Sequence, residues 1–289
     1  MLLCPSCGKQ NIKAEQACPQ CHFEPVRVDG FLAWAPELAK HNDSFHETSF
    51  EGLARVEAGS FWFKSRNAIV KWALRNYFPS FQSLLEVGCG TGFVLSGIAN
   101  SFPNARICGS EIHTAGLSFA AKRLPGAELL QMDARRLPYE AEFDVVAAFD
   151  VIEHIVEDEL VLKNFYRATK PGGLCLLTVP QHQWLWSPAD DAACHKRRYS
   201  PEDLHNKVTA AGFRIVRSTS FVTLLLPMMM AARWKARRTG RAGGSEAILL
   251  NPTLERIFEA IMRVELQLIK WGLDLPVGGS RLLVGIKDA

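Results

Sequence analysis

The chain has 289 residues, 48% of them hydrophobic and 22% charged, enough for one full-sized α/β domain with a small appendage. A net charge of +3 is too mild to mark the whole chain as a nucleic-acid binder, and no apolar run is long enough to cross a bilayer as a helix. Met1-Leu2-Leu3 runs straight into a cysteine pair, which leaves no room for a secretory signal. Four of the eight cysteines crowd into the first 21 residues while the others are scattered, so reduced thiols in a cytoplasmic protein fit better than a disulfide framework.

Residues 1–27 form a cysteine-rich unit. Cys4-Pro5-Ser6-Cys7 and Cys18-Pro19-Gln20-Cys21 are two Cys-x-x-Cys turns separated by ten residues, and together they supply four thiolates for a closed tetrahedral zinc site. A unit this small cannot build its own core, so a structural metal is its natural staple. Only Lys9 and Lys13 lie nearby, so a structural or docking role is favoured over contact with nucleic acid. Residues 28–60 read as a linker of weak periodicity. From 61 to 220 short β-like runs alternate with helical ones, which predicts a parallel sheet with crossover helices. The predicted strands are Leu84–Val87, Ala105–Ser110, Ala127–Gln131, Phe143–Phe149, Leu174–Val179 and Phe213–Ser220. Predicted helices include Phe93–Ser101, Thr114–Arg123 and Glu157–Thr169, the last stopped by Lys170-Pro171-Gly172-Gly173. An insertion at about 221–276 follows. It opens on the apolar run Phe221–Met230, continues through Arg233, Lys235, Arg237, Arg238 and Arg241, and crosses a short low-complexity loop, Thr239–Ser245. A long amphipathic helix from Thr253 to about Leu273 then leads to a closing strand, Arg281–Ile286. Its stripe of Leu254, Ile257, Phe258, Ile261, Val264, Leu268 and Trp271 reads as core packing.

The strongest local signal is Leu84-Leu85-Glu86-Val87-Gly88-Cys89-Gly90-Thr91-Gly92, a strand ending in a glycine loop that opens a helix. With Glu86 ahead of it and the spacing Gly-x-Gly-x-Gly, it resembles the first motif of class I S-adenosylmethionine-dependent methyltransferases, of the bacterial type 11/12 kind. The resemblance covers roughly residues 61–220. It implies a Rossmann-like α/β fold with helices on both faces of a mostly parallel sheet whose last strand is antiparallel, making 61–289 the methyltransferase domain. Glu111, ending the second strand, can accept both hydroxyls of a ribose. By the resemblance, Asp133 and Ala134 after the third strand face the adenine, and Asp150 in Phe149-Asp150-Val151-Ile152-Glu153-His154 lies beside the reacting methyl. Gly88, Gly90 and Gly92 then pass close to the cofactor. Arg66, on a helix before the first strand, is either a clamp for the cofactor's carboxylate or a surface arginine. Trp62 and Phe63 read as packing residues. A hydride-transferring dehydrogenase is the rival on this fold, and the short glycine spacing and Asp133 count against it.

Methyl transfer from a sulfonium requires positioning, exclusion of water and, for some acceptors, removal of a proton. His154 is a candidate base or a structural hydrogen-bond donor. His195 is a candidate base, substrate contact or loop scaffold, and His182 is a weaker third. The segment Val179–Tyr199, rich in aromatic and charged residues, reads as a substrate-facing lid. The apolar-then-basic run of the insertion suits a peripheral membrane contact through 221–241 at the inner face of the membrane, or a buried helix over the active site. Together these readings predict a methyltransferase that modifies an oxygen of a small or lipid-linked acceptor. The alternatives are an RNA methyltransferase acting through the zinc knuckle, or a non-catalytic S-adenosylmethionine-binding protein.

Overall fold

The apolar runs become a nine-stranded sheet in a computed structural model that describes residues 1–10, 12–40, 49–239 and 250–289. Its strands are β1 (Val26–Val28), β2 (Phe31–Ala33), β3 (Ser83–Val87), β4 (Arg106–Glu111), β5 (Glu128–Gln131), β6 (Phe143–Phe149), β7 (Thr169–Pro180), β8 (Arg214–Phe221) and β9 (Ser280–Ile286), in the order β1-β2-β5-β4-β3-β6-β7-β9-β8. From β2 to β7 all neighbours are parallel, whereas β9 runs against both β7 and β8. The helices are α1 (Ser49–Val56), α2 (Phe61–Tyr77), α3 (Phe93–Ser101), α4 (Thr114–Arg123), α5 (Asp158–Ala168), α6 (Pro188–Ala192), α7 (Pro201–Ala210), α8 (Leu226–Thr239) and α9 (Pro252–Lys270).

Both faces of the sheet are covered, and the strand alternation shows it. Leu85, Val87, Val146, Ala148, Cys175 and Leu177 point into one core with Phe165 of α5 and Leu204 of α7. Leu84, Val145, Ala147, Leu174 and Leu176 point into the other, with Val70 of α2, Leu95 of α3, Leu117 of α4 and Met262 of α9. Strands buried on both faces read as continuous apolar runs, which is why β3 and β6 are legible in the sequence. Residues 170–173 arch out of register between the pairs Phe143–Thr169 and Val145–Leu174, so α5 stops at Ala168 and passes directly into β7.

The stretch read as a linker is largely built into the fold. β1 and β2 form a hairpin whose second strand extends the sheet beside β5, and Gln131 clasps it through Ala35, accepting from the backbone N–H at 3.0 Å and donating to the carbonyl at 2.8 Å. Three-residue strands are too short to show alternation in sequence. The remainder of the linker at 41–48 lies outside the described residues, as do Arg241 and the Thr239–Ser245 loop beyond Thr239.

The N-terminal unit packs on the same core. Leu2 bridges to Tyr139, the Leu3 N–H donates to the Pro138 carbonyl at 2.8 Å, and Cys4, Ile12 and Cys18 are buried against Leu137 and Tyr139. Its two turns repeat one another: the Gly8 N–H donates to the Cys4 carbonyl at 2.8 Å, and the His22 N–H to that of Cys18 at 2.9 Å.

The apolar run, open in sequence between a membrane contact and a buried helix, is split: Phe221, Val222, Leu225 and Leu226 are buried, whereas Leu224, Met228, Met230 and Trp234 are exposed. The buried face of α9 consists of Glu255, Phe258, Met262, Glu265 and Ile269, leaving Leu254, Ile257, Val264 and Trp271 of the expected core stripe exposed. Two glutamates take places on that face because they accept backbone N–H groups of other segments. Glu265 accepts the N–H groups of Val222, Thr223 and Leu224 at 2.6, 2.7 and 2.8 Å, and Glu255 accepts those of Phe61 and Leu250 at 2.5 and 2.9 Å. Buried carboxylates satisfied by several N–H donors are stable in a core.

Candidate functional site

In an open parallel sheet, ligands bind beyond the carboxyl ends of the strands. There the structure forms a cleft of about 1270 Å³ lined by Arg66, Glu86, Gly88, Gly90, Glu111, Asp133, Ala134, Asp150, His154 and His195. Among the cofactor residues read from the sequence, Gly92 stands apart from this lining. It starts α3 with φ of +74°, and a Cβ there would fall 2.9 Å from Ala120, so glycine serves the packing of α3 on α4. At Gly88 a Cβ would fall 2.5 Å from the Val151 side chain, so only glycine lets β3 approach the turn after β6.

Four carboxylates end four adjacent elements. Glu111, closing β4, accepts N–H donors from Ile112 (2.8 Å), His113 (3.2 Å) and Gly90 (3.0 Å), which ties it across the glycine loop. Burial raises its carboxyl above the usual range, and those three donors oppose the rise. Asp133 after β5 lines the cleft and accepts from Arg135 at both oxygens, from its backbone N–H at 2.9 Å and from its guanidinium at 2.9–3.0 Å. Asp150 after β6 has a left-handed φ of +58° and receives Arg66 at 2.6 Å and the Thr178 hydroxyl at 3.1 Å. Arg66 is therefore no surface residue: it is buried, and its guanidinium lies 4.5 Å from the centre of the Trp62 ring. Trp62 and Phe63, read from sequence as packing residues, line the cleft. Glu86 is the fourth carboxylate. It is buried, Oε2 has no hydrogen-bond partner among the described residues, and burial pushes its carboxyl up to about 8, with Glu111 adding to the rise and Arg66 opposing it.

The segment after β7 is a braced wall rather than a loose lid. Asp190 organises it. Its Oδ1 meets Nδ1 of His195 at 2.9 Å and Nε of Arg198 at 2.7 Å, while its Oδ2 meets Arg233 of α8 at 2.6 Å and the Ser187 N–H at 2.9 Å. Although burial alone would raise the Asp190 carboxyl, hydrogen bonds from His195 and Arg198 hold it well below the usual carboxylate range. Tyr199 donates to Asp158 at 2.6 Å, and the Lys196 N–H to the Glu153 carbonyl at 2.8 Å. Of the segment, only Ala193, His195 and Lys196 reach the cleft; His182 lies outside it, stacked on Trp184 at 5.1 Å. His154 packs edge to face on His195 with ring centres 4.8 Å apart, and burial pushes it down to about 3, so the ring is neutral near pH 7. The sequence assigned a role to neither Asp190 nor Glu153. The only signal for Asp190 was its place in Ser187-Pro188-Ala189-Asp190, a capping box that the structure contains.

At the N-terminus Cys4, Cys7, Cys18 and Cys21 are free thiols. Sγ of Cys4 lies 3.6 Å from that of Cys21, and Sγ of Cys7 lies 3.7 Å from that of Cys18. A tetrahedron of sulfurs about 2.3 Å from a central zinc has edges of about 3.8 Å, so the four residues fit the ion.

Residues 85–177 match the family described as methyltransferase domain. The chain is 28% identical over 173 residues to a protein of Mycolicibacterium smegmatis named a probable S-adenosylmethionine-dependent methyltransferase, covering 58% of this chain and 64% of the relative. It is 29% identical over 167 residues to phthiotriol/phenolphthiotriol dimycocerosates methyltransferase 1 of Mycobacterium ulcerans, covering 56% of this chain and 61% of the relative. The chain thus spans about three fifths of the length of both. The fold is similar to that of phosphoethanolamine N-methyltransferase 2 of Haemonchus contortus in complex with S-adenosyl-L-methionine, with a TM-score of 0.58 at 18% identity over 84% of this chain and 57% of that one. The family match over residues 85–177, these relatives and the fold make this chain similar to class I S-adenosylmethionine-dependent methyltransferases.

Glu86 gives a pH test. With its carboxyl near 8 it carries a proton below that pH, and a ligand that brings positive charge beside it draws the proton off. S-Adenosylmethionine should therefore bind more weakly as pH falls below about 8, and calorimetry at a pH of about 7 in buffers of different ionisation enthalpy should show up to one proton released. Glu86→Gln should abolish the release. Binding without proton release in the wild type would contradict this.

Proposed function

We propose that the protein transfers the methyl group of S-adenosylmethionine to an oxygen of a small or lipid-linked acceptor. The observation that carries this reading is the acidity of the cleft: Glu86, Glu111, Asp133 and Asp150 stand around the glycine loop with Arg66 among them. A sulfonium or ammonium brought beside Glu86 recovers the charge that burial suppresses there, which the pyrophosphate of a nicotinamide dinucleotide does not. In this reading Glu111 takes the ribose hydroxyls, and Asp133 and Ala134 take the adenine. The glycine loop passes under the nucleoside, while Glu86, Arg66 and Asp150 hold the methionine end. The donor arrives activated, so the protein's part is to orient the acceptor, exclude water and accept a proton, for which His195 stands at the cleft edge.

Two features support a greasy acceptor. The Mycobacterium ulcerans relative is named for dimycocerosate substrates, and a Mycolicibacterium smegmatis fatty-acid O-methyltransferase is 33% identical over 100 residues, covering 34% of this chain and 36% of that protein. The exposed apolar side chains of α8 and α9, among them Trp234 and Ile257, and Trp271 just past α9 suit a peripheral contact with a membrane surface. No helix among the described residues is long and apolar enough to cross a membrane. In the same reading the four N-terminal thiolates hold a structural zinc ion, and the buried docking of that unit on Leu137 and Tyr139 favours a scaffolding role over contact with RNA.

Glu111→Ala removes hydrogen bonds of charged character, each contributing about 1.5–3 kcal/mol. S-Adenosylhomocysteine should bind at least tenfold more weakly by calorimetry, and methyl transfer should fall with it. Unchanged affinity, or wild-type preference for a nicotinamide dinucleotide, would overturn the assignment.

The membrane contact has its own test. Arg233 and Arg237 are committed to Asp190 and to the carbonyls of Trp184 and Trp186, which among the described residues leaves Lys235 and Arg238, the latter stacked 3.6 Å over the Trp234 ring, for anionic headgroups. Each such residue contributes about 1 kcal/mol, screened by salt. Wild-type protein should float with anionic liposomes, less so at high salt. Lys235→Glu with Arg238→Glu should weaken flotation at least tenfold, and Met228→Asp with Trp234→Asp should abolish it while S-adenosylhomocysteine affinity stays near wild type. Wild-type protein that ignores anionic liposomes would refute the contact.

A further inference from the structure

The turn after β6 carries a carboxylate that the cofactor reading does not use. Glu153 has no exposed side-chain surface, and neither of its oxygens has a hydrogen-bond partner among the described residues. Two imidazoles face it, with Nε2 of His195 at 3.9 Å and Nε2 of His154 at 4.0 Å from Oε1. His195 is fixed in this orientation, because its Nδ1 lies 2.9 Å from Asp190 and the proton there is shared with that carboxylate. Its Nε2 then presents a lone pair toward Glu153. The neighbouring guanidiniums are committed elsewhere, Arg66 to Asp150 and both Arg198 and Arg233 to Asp190. Electron pairs thus converge in a buried space without a side-chain cation between them, an arrangement that is costly unless something positive occupies it.

We propose that Glu153, His154 and His195 hold a divalent transition-metal ion at the edge of the cleft. Their ligand atoms all lie within 4.8 Å of one another. An ion about 2.1 Å from each ligand needs them roughly 3.0–3.5 Å apart, a closure that small side-chain rotations supply. Two imidazoles and one carboxylate form a donor set for zinc or iron(II) rather than magnesium or calcium. Asp190 behind His195 is the outer carboxylate that orients a ligating imidazole in such sites. His154 and His195 line the cleft, so the ion's open positions face it and suit a hydroxyl or carboxylate oxygen of the acceptor. That last point rests on the methyl-transfer reading, whereas the ion itself does not.

The test counts zinc bound by the full chain at equilibrium with micromolar free zinc. Wild type should bind two ions, and a mercurial that caps thiols should release only one. Cys18→Ser should keep the ion of the cleft, while Glu153→Gln and His195→Asn should each keep only the ion of the cysteine unit. S-Adenosylhomocysteine affinity measured on the same samples separates a failure of this site from a failure of the cofactor reading. One ion per wild-type chain, released entirely by the mercurial, would overturn the proposal and leave a proton on Glu153 as the occupant. Two ions retained in both cleft variants would overturn it equally.

Discussion

A carboxylate taken out of water without hydrogen bonds to replace its hydration is held only by the packing around it, and it waits for a positive partner. Among the described residues, two buried glutamates at the carboxyl end of this sheet have unpartnered oxygens, Glu153 just after β6 at both and Glu86 at the end of β3 at Oε2. Everything else around the cleft keeps them there. Gly88 lets the turn after β6 approach β3, Arg66 holds Asp150 between the two, and the Asp190 cluster fixes the wall that closes over Glu153. Other buried carboxylates, Glu265, Glu255 and Glu111, are instead satisfied by backbone N–H donors. Unmet electrostatic demand is concentrated where a ligand would enter, as expected of a preorganised site.

The parallel sheet makes this concentration possible. Because β3, β4, β5 and β6 run in one direction, the residues that end them come to one edge, and side chains up to 64 positions apart, from Glu86 to Asp150, line a common cleft. The antiparallel β9 and the buried face of α9 brace the other half of the sheet. The insertion reaches back through Arg233 of α8 to the cleft wall.

What could be read from the sequence was what the sequence encodes locally. Apolar runs buried on two faces, a glycine loop after a strand and acids at strand ends are short-range signals, and they placed Glu86, Glu111, Asp133 and Asp150. The four cysteines were equally legible through their spacing. What escaped depends on contacts across the chain. Nothing near Glu265 says that it caps Val222 forty-three positions away, so a stripe of Leu254, Ile257, Val264 and Trp271 passed for core. Asp190 looked like one acid among several in a loop until Arg198, His195 and Arg233 converged on it. Glu153 was given no role because a glutamate in a polar turn is ordinarily solvated, and only the packing of the wall buries it.

The central claim is that the acidic cleft receives S-adenosylmethionine through the four strand-end carboxylates. A crystal structure of the protein with S-adenosylhomocysteine tests it most directly. The account predicts the ribose hydroxyls on Glu111, the adenine against Asp133 and Ala134, and the methionine end between Glu86 and the Arg66–Asp150 pair. Density for the ligand away from Glu111, or an empty cleft at saturating ligand, would contradict it.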